Sequence, residues 1–485
     1  MGLPTTPTPH CALLPPINNK IQGILLRLLR SRVLWVMLIA ALWQIYFYRL
    51  LALPFEYIDT KSYLEASTNP RLLLGEIDRM RTPVYPCFIA AIRFFFGEEN
   101  LLHRIVFFQQ LISWCCIYFF FHTAKYLVRS TTVVVGTSLY CACHPTILGF
   151  NAGILTESLS VSGTIFLGFL LVSYVQRPCY GKAISIGIVS FLLIMLRPTF
   201  LVCLPVFFLF WIARLLLNRE RRLCETVGLC SIIGALIFVL GYCQLFKQKH
   251  GEFGLTAVTY QANQFMIVLQ SGMYRNGSDP LINQQLTALE KSWKKENPGA
   301  QPGEPWLFPT RNNRDLVRHI RKPLFCTPEG GQYAKDTIRK NRLRFAFYSL
   351  GKFHGMCNWR FDLWRHDLPG YTKTNPNFIL KIRFQSVYVL LLLEVLVLGT
   401  AFYLTRRVPW FWCVCWLLIA GTIFTVVVGS YSDWSRLVIP ALPLVILLIA
   451  KYVDLAAYVT KELCGKHVVQ YLKEQSESQE GGVSQ

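Results

Sequence analysis

Acidic residues are scarce: 27 Asp and Glu stand against 49 Lys and Arg, and charge of either sign occupies only 16% of 485 positions. So little charge, with 53% hydrophobic residues, 14% aromatics and a positive mean hydropathy, excludes an ordinary soluble globular chain and puts the protein in a membrane. The 16 cysteines contain no paired CxxC arrangement. Cysteine ligation of a metal is therefore not expected, and Cys115, Cys116, Cys141, Cys143, Cys413 and Cys415, all inside apolar runs, read as small hydrophobes. No cleavable signal is evident, since the first apolar run, from Val33, is too long and has no small-residue cleavage site behind it. No repeat relates the two halves, which argues against the repeat architecture common in secondary transporters. The net charge of +22 is spread over short links and one polar insertion. That distribution fits membrane orientation and anionic lipid rather than a nucleic-acid face.

What is present is a series of apolar segments near the length needed to cross a bilayer. They fall at roughly 33–53, 103–124, 131–150, 154–175, 183–196, 199–217, 226–246, 379–404, 408–429 and 436–456. The expected fold is an all-α polytopic membrane protein of about ten transmembrane helices, with juxtamembrane helices in the first outer loop and one outer helical loop domain. Lys20, Arg27, Arg30 and Arg32 before the first span place the N-terminus in the cytoplasm, and every later basic link then falls on that side. The organisation reads as a disordered cytoplasmic N-terminus (1–32), an N-terminal membrane module (33–246) carrying a first outer loop (54–103), an outer lumenal or periplasmic loop domain (247–377), a C-terminal membrane module (378–457) and a cytoplasmic tail (458–485). Pro83 to Phe96 is apolar, but its fourteen residues reach only about 21 Å, short of a core of roughly 30 Å. It is placed as a juxtamembrane helix on the non-cytoplasmic face. In the outer loop, 280–297 and 331–353 read as helices, Asn276-Gly277-Ser278 is a glycosylation acceptor if that loop is lumenal, and Cys326 and Cys357 either form a disulfide or stay as two thiols.

With this topology the short outer connections hold Asp59 to Arg81, His144 to Glu157, Arg197-Pro198, and Tyr431 to Arg436. Ionisable groups at membrane depth cost roughly 2.5 to 3.5 kcal/mol on insertion scales and usually face a cavity or one another. Each has a bland reading as well. Asp59 is either a reacting carboxylate or a helix N-cap. Arg79 and Arg81 either bind substrate or anchor the interface, Glu157 either lines a cavity or serves a helix N-terminus, and Arg197 either lines a cavity or snorkels. Asp433 and Arg436 either join the site or pair locally, and His144 before Pro145 reads as a turn residue. If these groups converge, they suit transfer of a sugar from a lipid phosphate carrier. Arginine forks clamp the phosphate that leaves, and a carboxylate takes the acceptor proton, with no metal or cofactor required. Attack opposite the phosphate inverts the anomeric carbon. The alternative is a polytopic transporter with a polar substrate path.

The order Asp59-x-x-x-Tyr63, Arg81-Thr82-Pro83-x-Tyr85-Pro86, Gly97 with Arg104, His144-Pro145 with Thr156-Glu157, Arg197-Pro198 and Arg436 with Pro440 resembles the C-type membrane glycosyltransferases. The resemblance is to the group holding the lipid A aminoarabinose transferase and the protein O-mannosyltransferases, and it spans about Val33 to Lys451. It implies a polyprenyl- or dolichyl-phosphate sugar donor, a membrane setting in the bacterial inner membrane or endoplasmic reticulum, and a site on the periplasmic or lumenal side. The acceptor, whether glycan, lipid or protein, is not carried over. Asp59 matches the family's first-loop acid, read as base, and Arg81 the basic residue before Pro that contacts donor phosphate. Tyr63, Arg79, Tyr85, Arg104, Glu157, Arg197, Asp433 and Arg436 are expected to bind substrate. The chain departs from the family in having Asp59-Thr60 where paired acids are usual, with Glu56 one turn earlier, and in lacking an acid directly before Arg81.

Overall fold

A computed structural model describes residues 31–51, 54–57, 59–69, 77–217, 221–257, 262–298, 316–317, 319–325, 327–358, 410–429, 439–457 and 460. Among these the protein is all-α and polytopic, and its only extended pairing is an isolated parallel bridge between Phe55 and Gly153. The membrane body consists of α1 (Arg32–Leu51), α2 (Thr60–Ser67), α3 (Val84–Phe96), α4 (Leu101–Leu127), α5 (Thr131–Cys143), α6 (Pro145–Ala152), α7 (Glu157–Gln176), α8 (Tyr180–Leu196), α9 (Cys203–Leu217, entered through a 3-10 turn at Pro198–Val202) and α10 (Arg222–His250). The chain continues through α11 (Phe265–Gln270), α12 (Pro280–Glu296), α13 (Pro328–Lys340), α14 (Arg342–Asn358) and α15 (Trp410–Gly429) to α16 (Ile439–Ala457).

Seven of these stretches are long and apolar enough to cross a bilayer: α4, α5 with α6, α7, the Pro198–Leu217 segment, α10, α15 and α16. Of the other segments expected to span, α1 has 20 residues, α8 has 17, and 379–404 lies outside the described residues. The α3 helix has 13 residues, about 20 Å, too short to cross, and it ends in the exposed Phe94, Phe95 and Phe96. One apolar core runs from Val36 on α1 to Ala450 on α16, while Leu42, Phe107, Ile188, Phe238 and Phe424 point outward. Outward apolar side chains suit a solvent of lipid tails, where each helix already satisfies its own backbone.

Pro145 explains why the third span is built in two pieces. The residue before a proline avoids helical geometry, and His144 is extended (φ −63°, ψ 118°) while its Nδ1 accepts the Thr146 N–H at 3.3 Å. That bend carries the chain to Gly153, beside Phe55. A Cβ on Gly153 would lie 2.7 Å from the Tyr57 ring, so glycine is what permits the approach.

Near the far end of the bundle a second polar group is fully enclosed. Arg214 on α9 donates from Nε (2.9 Å) and Nη2 (2.7 Å) to Glu225 on α10, whose other oxygen accepts the Tyr174 hydroxyl of α7 at 2.8 Å. Trp211 closes over it, edge-on to Tyr174.

The segment between α10 and α15 has its own core of Phe265–Leu269, Met273, Tyr274, Leu286, Trp293, Ile320, Tyr333, Ala334 and Tyr348. The helix expected at 280–297 is α12. The single helix expected over 331–353 is instead two, α13 and α14, because Asn341 leaves helical geometry (φ −115°, ψ 41°). The short buried α11 has no counterpart in the periodicity, being apolar on every side. Asn276 is exposed at the end of a 3-10 turn, whereas Cys326 and the side chain of Cys357 lie outside the described residues.

Glu290 on α12 is the electrostatic anchor of this segment. Burial opposes its ionisation, yet hydrogen bonds from Lys294, Tyr274 and Arg275 outweigh that and hold its carboxyl down at about 2. A carboxyl held below its unfolded value of 4.5 stabilises the fold above that pH and loses its contribution as pH falls through 2. Hydrogen exchange of α12 and α13 is therefore expected to accelerate between those limits, and Glu290→Gln is expected to flatten the dependence.

Candidate active site

Asp59 ends the turn after the first span and starts α2, the place for a capping side chain, yet it makes no cap bond. Its Oδ1 instead accepts from Arg81 Nη2 at 2.7 Å. The same guanidinium donates from Nε to Ser62 Oγ at 2.7 Å and from Nη1 to the Tyr63 hydroxyl at 3.2 Å, with its carbon 4.3 Å from the Tyr63 ring centre. Ser62 and Tyr63 are three and four residues after Asp59, so one turn of helix presents all three to a single arginine. Arg81 is aimed by its own loop: Asp78 Oδ1 accepts the N–H groups of Met80 and Arg81, both at 2.7 Å. The pair is partly open, with 16% of the Arg81 side chain and 27% of the Asp59 side chain exposed.

Glu157 opens α7 and Arg197 closes α8. Neither plays a surface role: Glu157 is 1% exposed, and its Oε1 lies 3.3 Å from Arg197 Nη2. Two hydrogen bonds set this buried pair beside the open one. Thr60, next to Asp59, donates to the Ile154 carbonyl at 3.1 Å, and Thr82, next to Arg81, donates to the Leu196 carbonyl at 3.1 Å. Two acids and two arginines from four separated parts of the chain thus meet at one end of the bundle.

Beneath them lies a polar layer with no charge. The Tyr85 hydroxyl donates to Gln109 Oε1 at 2.6 Å, and Gln109 Nε2 donates to the carbonyls of Gly153 (2.8 Å) and Asn151 (3.1 Å). Asn151 in turn donates to Ser113 and accepts from Ser158. Burial, with Tyr63 and Glu157 nearby, pushes the Tyr85 phenol far up, so it remains a donor. The Tyr85 ring packs edge-on against Tyr63 at 4.9 Å, which joins the layer to the site above. Gln109→Leu strands the Tyr85 hydroxyl and the Asn151 carbonyl, while the Gly153 carbonyl keeps the Leu155 N–H, at about 1–3 kcal/mol for each buried group left unsatisfied. Thermal unfolding in detergent is expected to show that loss, and Gln109→Glu is expected to recover only the Tyr85 bond.

The expected site residues divide accordingly. Asp59, Tyr63, Arg81, Glu157 and Arg197 are brought together, and Tyr85 supports them from below. Arg79 has an exposed side chain, and its carbonyl accepts the Ala257 N–H at 2.9 Å. Arg104 braces the α3–α4 turn, its Nη1 3.4 Å from the Gly97 carbonyl, and takes no part in the cluster. Asp433 and Arg436 lie outside the described residues. The residues not anticipated are Ser62, Thr82 and Gln109. Gln109 alone carried a signal, an uncharged polar side chain in the middle of an apolar 27-residue helix.

No known family model matches the chain, and no curated protein does. Among solved structures it is similar to the archaeal oligosaccharyltransferase AglB from Archaeoglobus fulgidus in complex with an inhibitory peptide and a dolichol-phosphate, at 13% identity and a TM-score of 0.46, over 91% of this chain and 51% of that one. The chain thus spans about half the length of that protein.

Proposed function

We propose that this protein is a membrane glycosyltransferase that moves a sugar from a polyprenyl- or dolichyl-phosphate carrier to an acceptor on the non-cytoplasmic face. The observation that carries the reading is the meeting of the Asp59–Arg81 and Glu157–Arg197 pairs at one bundle end. Asp59 is the base. It accepts the proton as the acceptor heteroatom bonds to the anomeric carbon, while the bond from that carbon to the carrier phosphate breaks and the electron pair leaves with the phosphate.

Arg81 orients Asp59 rather than acting first on phosphate, since its donors go to Asp59, Ser62 and Tyr63. Phosphate binding then falls to Arg197, already at the site, with the exposed Arg79 at the rim and Arg436 as a further arm. Glu157 holds Arg197 in place, and Tyr63, buried beneath the Arg81 guanidinium and against Tyr85, shapes the sugar pocket by fixing Arg81. The outer domain, with α11 to α14, provides the acceptor surface, and Asn276 is its glycan acceptor if that side is lumenal.

The test is transfer of labelled sugar from a lipid-phosphate donor to membrane acceptors by the purified full chain. The product is expected to carry the anomeric configuration opposite to the donor's. Retained configuration would exclude the single displacement, and label that stays on the carrier with every donor offered would exclude the activity.

A further inference from the structure

At the end of α7 opposite Glu157, about 30 Å along a 20-residue helix, a cavity of about 460 Å³ opens between the α7–α8 link and the start of α10. Arg177 and Arg221 line it, with Tyr180, Leu223, Gln176 and Cys224. Among the described residues no carboxylate lines it, and neither guanidinium pairs with one. Glu225, four residues after Arg221, is spent: Arg214 and Tyr174 occupy its two oxygens inside the bundle. Lys182, close in sequence, gives its amine to the Ser173 and Arg177 carbonyls, which ties down the link and leaves the cavity to the two arginines. Two guanidinium groups lining one concavity, with no carboxylate among its described lining residues, call for an anion.

The apolar part of the lining says which kind. Leu223 is 65% exposed and Tyr180 46% exposed, both at the ends of membrane helices, where a tyrosine marks the headgroup level and an outward leucine meets acyl chains. A freely soluble anion has no use for that half of the site. We propose that this cavity is a binding site for an anionic phospholipid, its phosphate held between Arg177 and Arg221 and its first methylenes along Leu223. The site is separate from the Asp59 cluster, and its occupancy is independent of sugar transfer.

Native mass spectrometry of the full chain released from phosphatidylglycerol-containing and phosphatidylcholine-only nanodiscs tests the assignment. The wild type is expected to retain phosphatidylglycerol and not phosphatidylcholine. R177Q/R221Q is expected to weaken retention about 30-fold, from the loss of two basic contacts near a membrane surface. Lys125→Gln, an exposed basic residue on the same side of the bundle but outside the cavity, is expected to leave retention unchanged. R177K/R221K keeps the charge and is expected to keep most of the binding, which separates lost charge from lost fold. Equal retention in wild type and R177Q/R221Q, or an equal loss in Lys125→Gln, overturns the proposal. Displacement of the lipid by millimolar inorganic phosphate assigns the site to a soluble anion and overturns it too.

Discussion

Asp59→Asn is expected to lower sugar transfer by a factor of about 100 to 10,000, the range that a positioned general base contributes, with little change in donor binding. The asparagine keeps the size of the side chain and still offers Arg81 an oxygen, so the loop should hold its shape. What it cannot do is accept a proton. Wild-type turnover in the Asp59→Asn protein would remove Asp59 from the chemistry and leave the ion pair a purely structural feature. Arg81→Lys makes a graded companion. An ammonium cannot reach Asp59, Ser62 and Tyr63 together in the fixed fork that guanidinium provides. Loss of charge-assisted bonds worth about 1.5–3 kcal/mol each puts its activity about 10- to 100-fold down. The fall should appear in kcat more than in KM, because Arg81 acts through the carboxylate it orients.

Arg214→Ala is expected to cost about 3–5 kcal/mol of stability, the usual penalty for removing one member of a buried ion pair. Glu225 has no exposed side-chain surface and would lose both Arg214 bonds, keeping only Tyr174. On α9 itself Phe210 and Trp211 fill the same turn with aromatic rings. The neutral pair Arg214→Met with Glu225→Gln removes the stranded charge and keeps a partner for Tyr174, so it should recover at least half of the loss. Thermal unfolding in detergent compares the three proteins. An Arg214→Ala protein as stable as the wild type would show that water reaches Glu225.

The helical membrane fold was legible because lipid demands long apolar segments, and α4, α7, α10, α15 and α16 meet that demand without help from distant sequence. That α3 is too short to cross followed from its length. The cluster was legible only in part. Asp59, Glu157 and Arg197 stood out as charges at span ends, but which arginine pairs with which acid depends on contacts between residues 22 and 40 positions apart, which no local pattern encodes. The bonds from Arg81 to Asp59, Ser62 and Tyr63 at the start of α2 were therefore not visible in its place before Pro83. Arg104 was drawn in by its position after Gly97, whereas the helix end there leaves a carbonyl that it serves. Gln109 escaped notice because its partners exist only after the Pro145 bend brings the 151–153 backbone beside α4. The break at Asn341 was hidden for the opposite reason, since the composition on both sides of it is equally helical.

The Arg79 carbonyl receives the Ala257 N–H, and the Ile77 carbonyl lies 3.1 Å from His250 Nε2. The stretch of chain that carries Arg81 is thus sewn, partly by main chain, to the segment leading into α11 to α14. In the proposed reaction, a tug on those helices by a captured acceptor would be felt at Arg81 within a few bonds, so that loading and alignment become one mechanical event. The main-chain stitch survives most exchanges of the Arg79 and Ala257 side chains, and its natural saboteur is a proline at position 257.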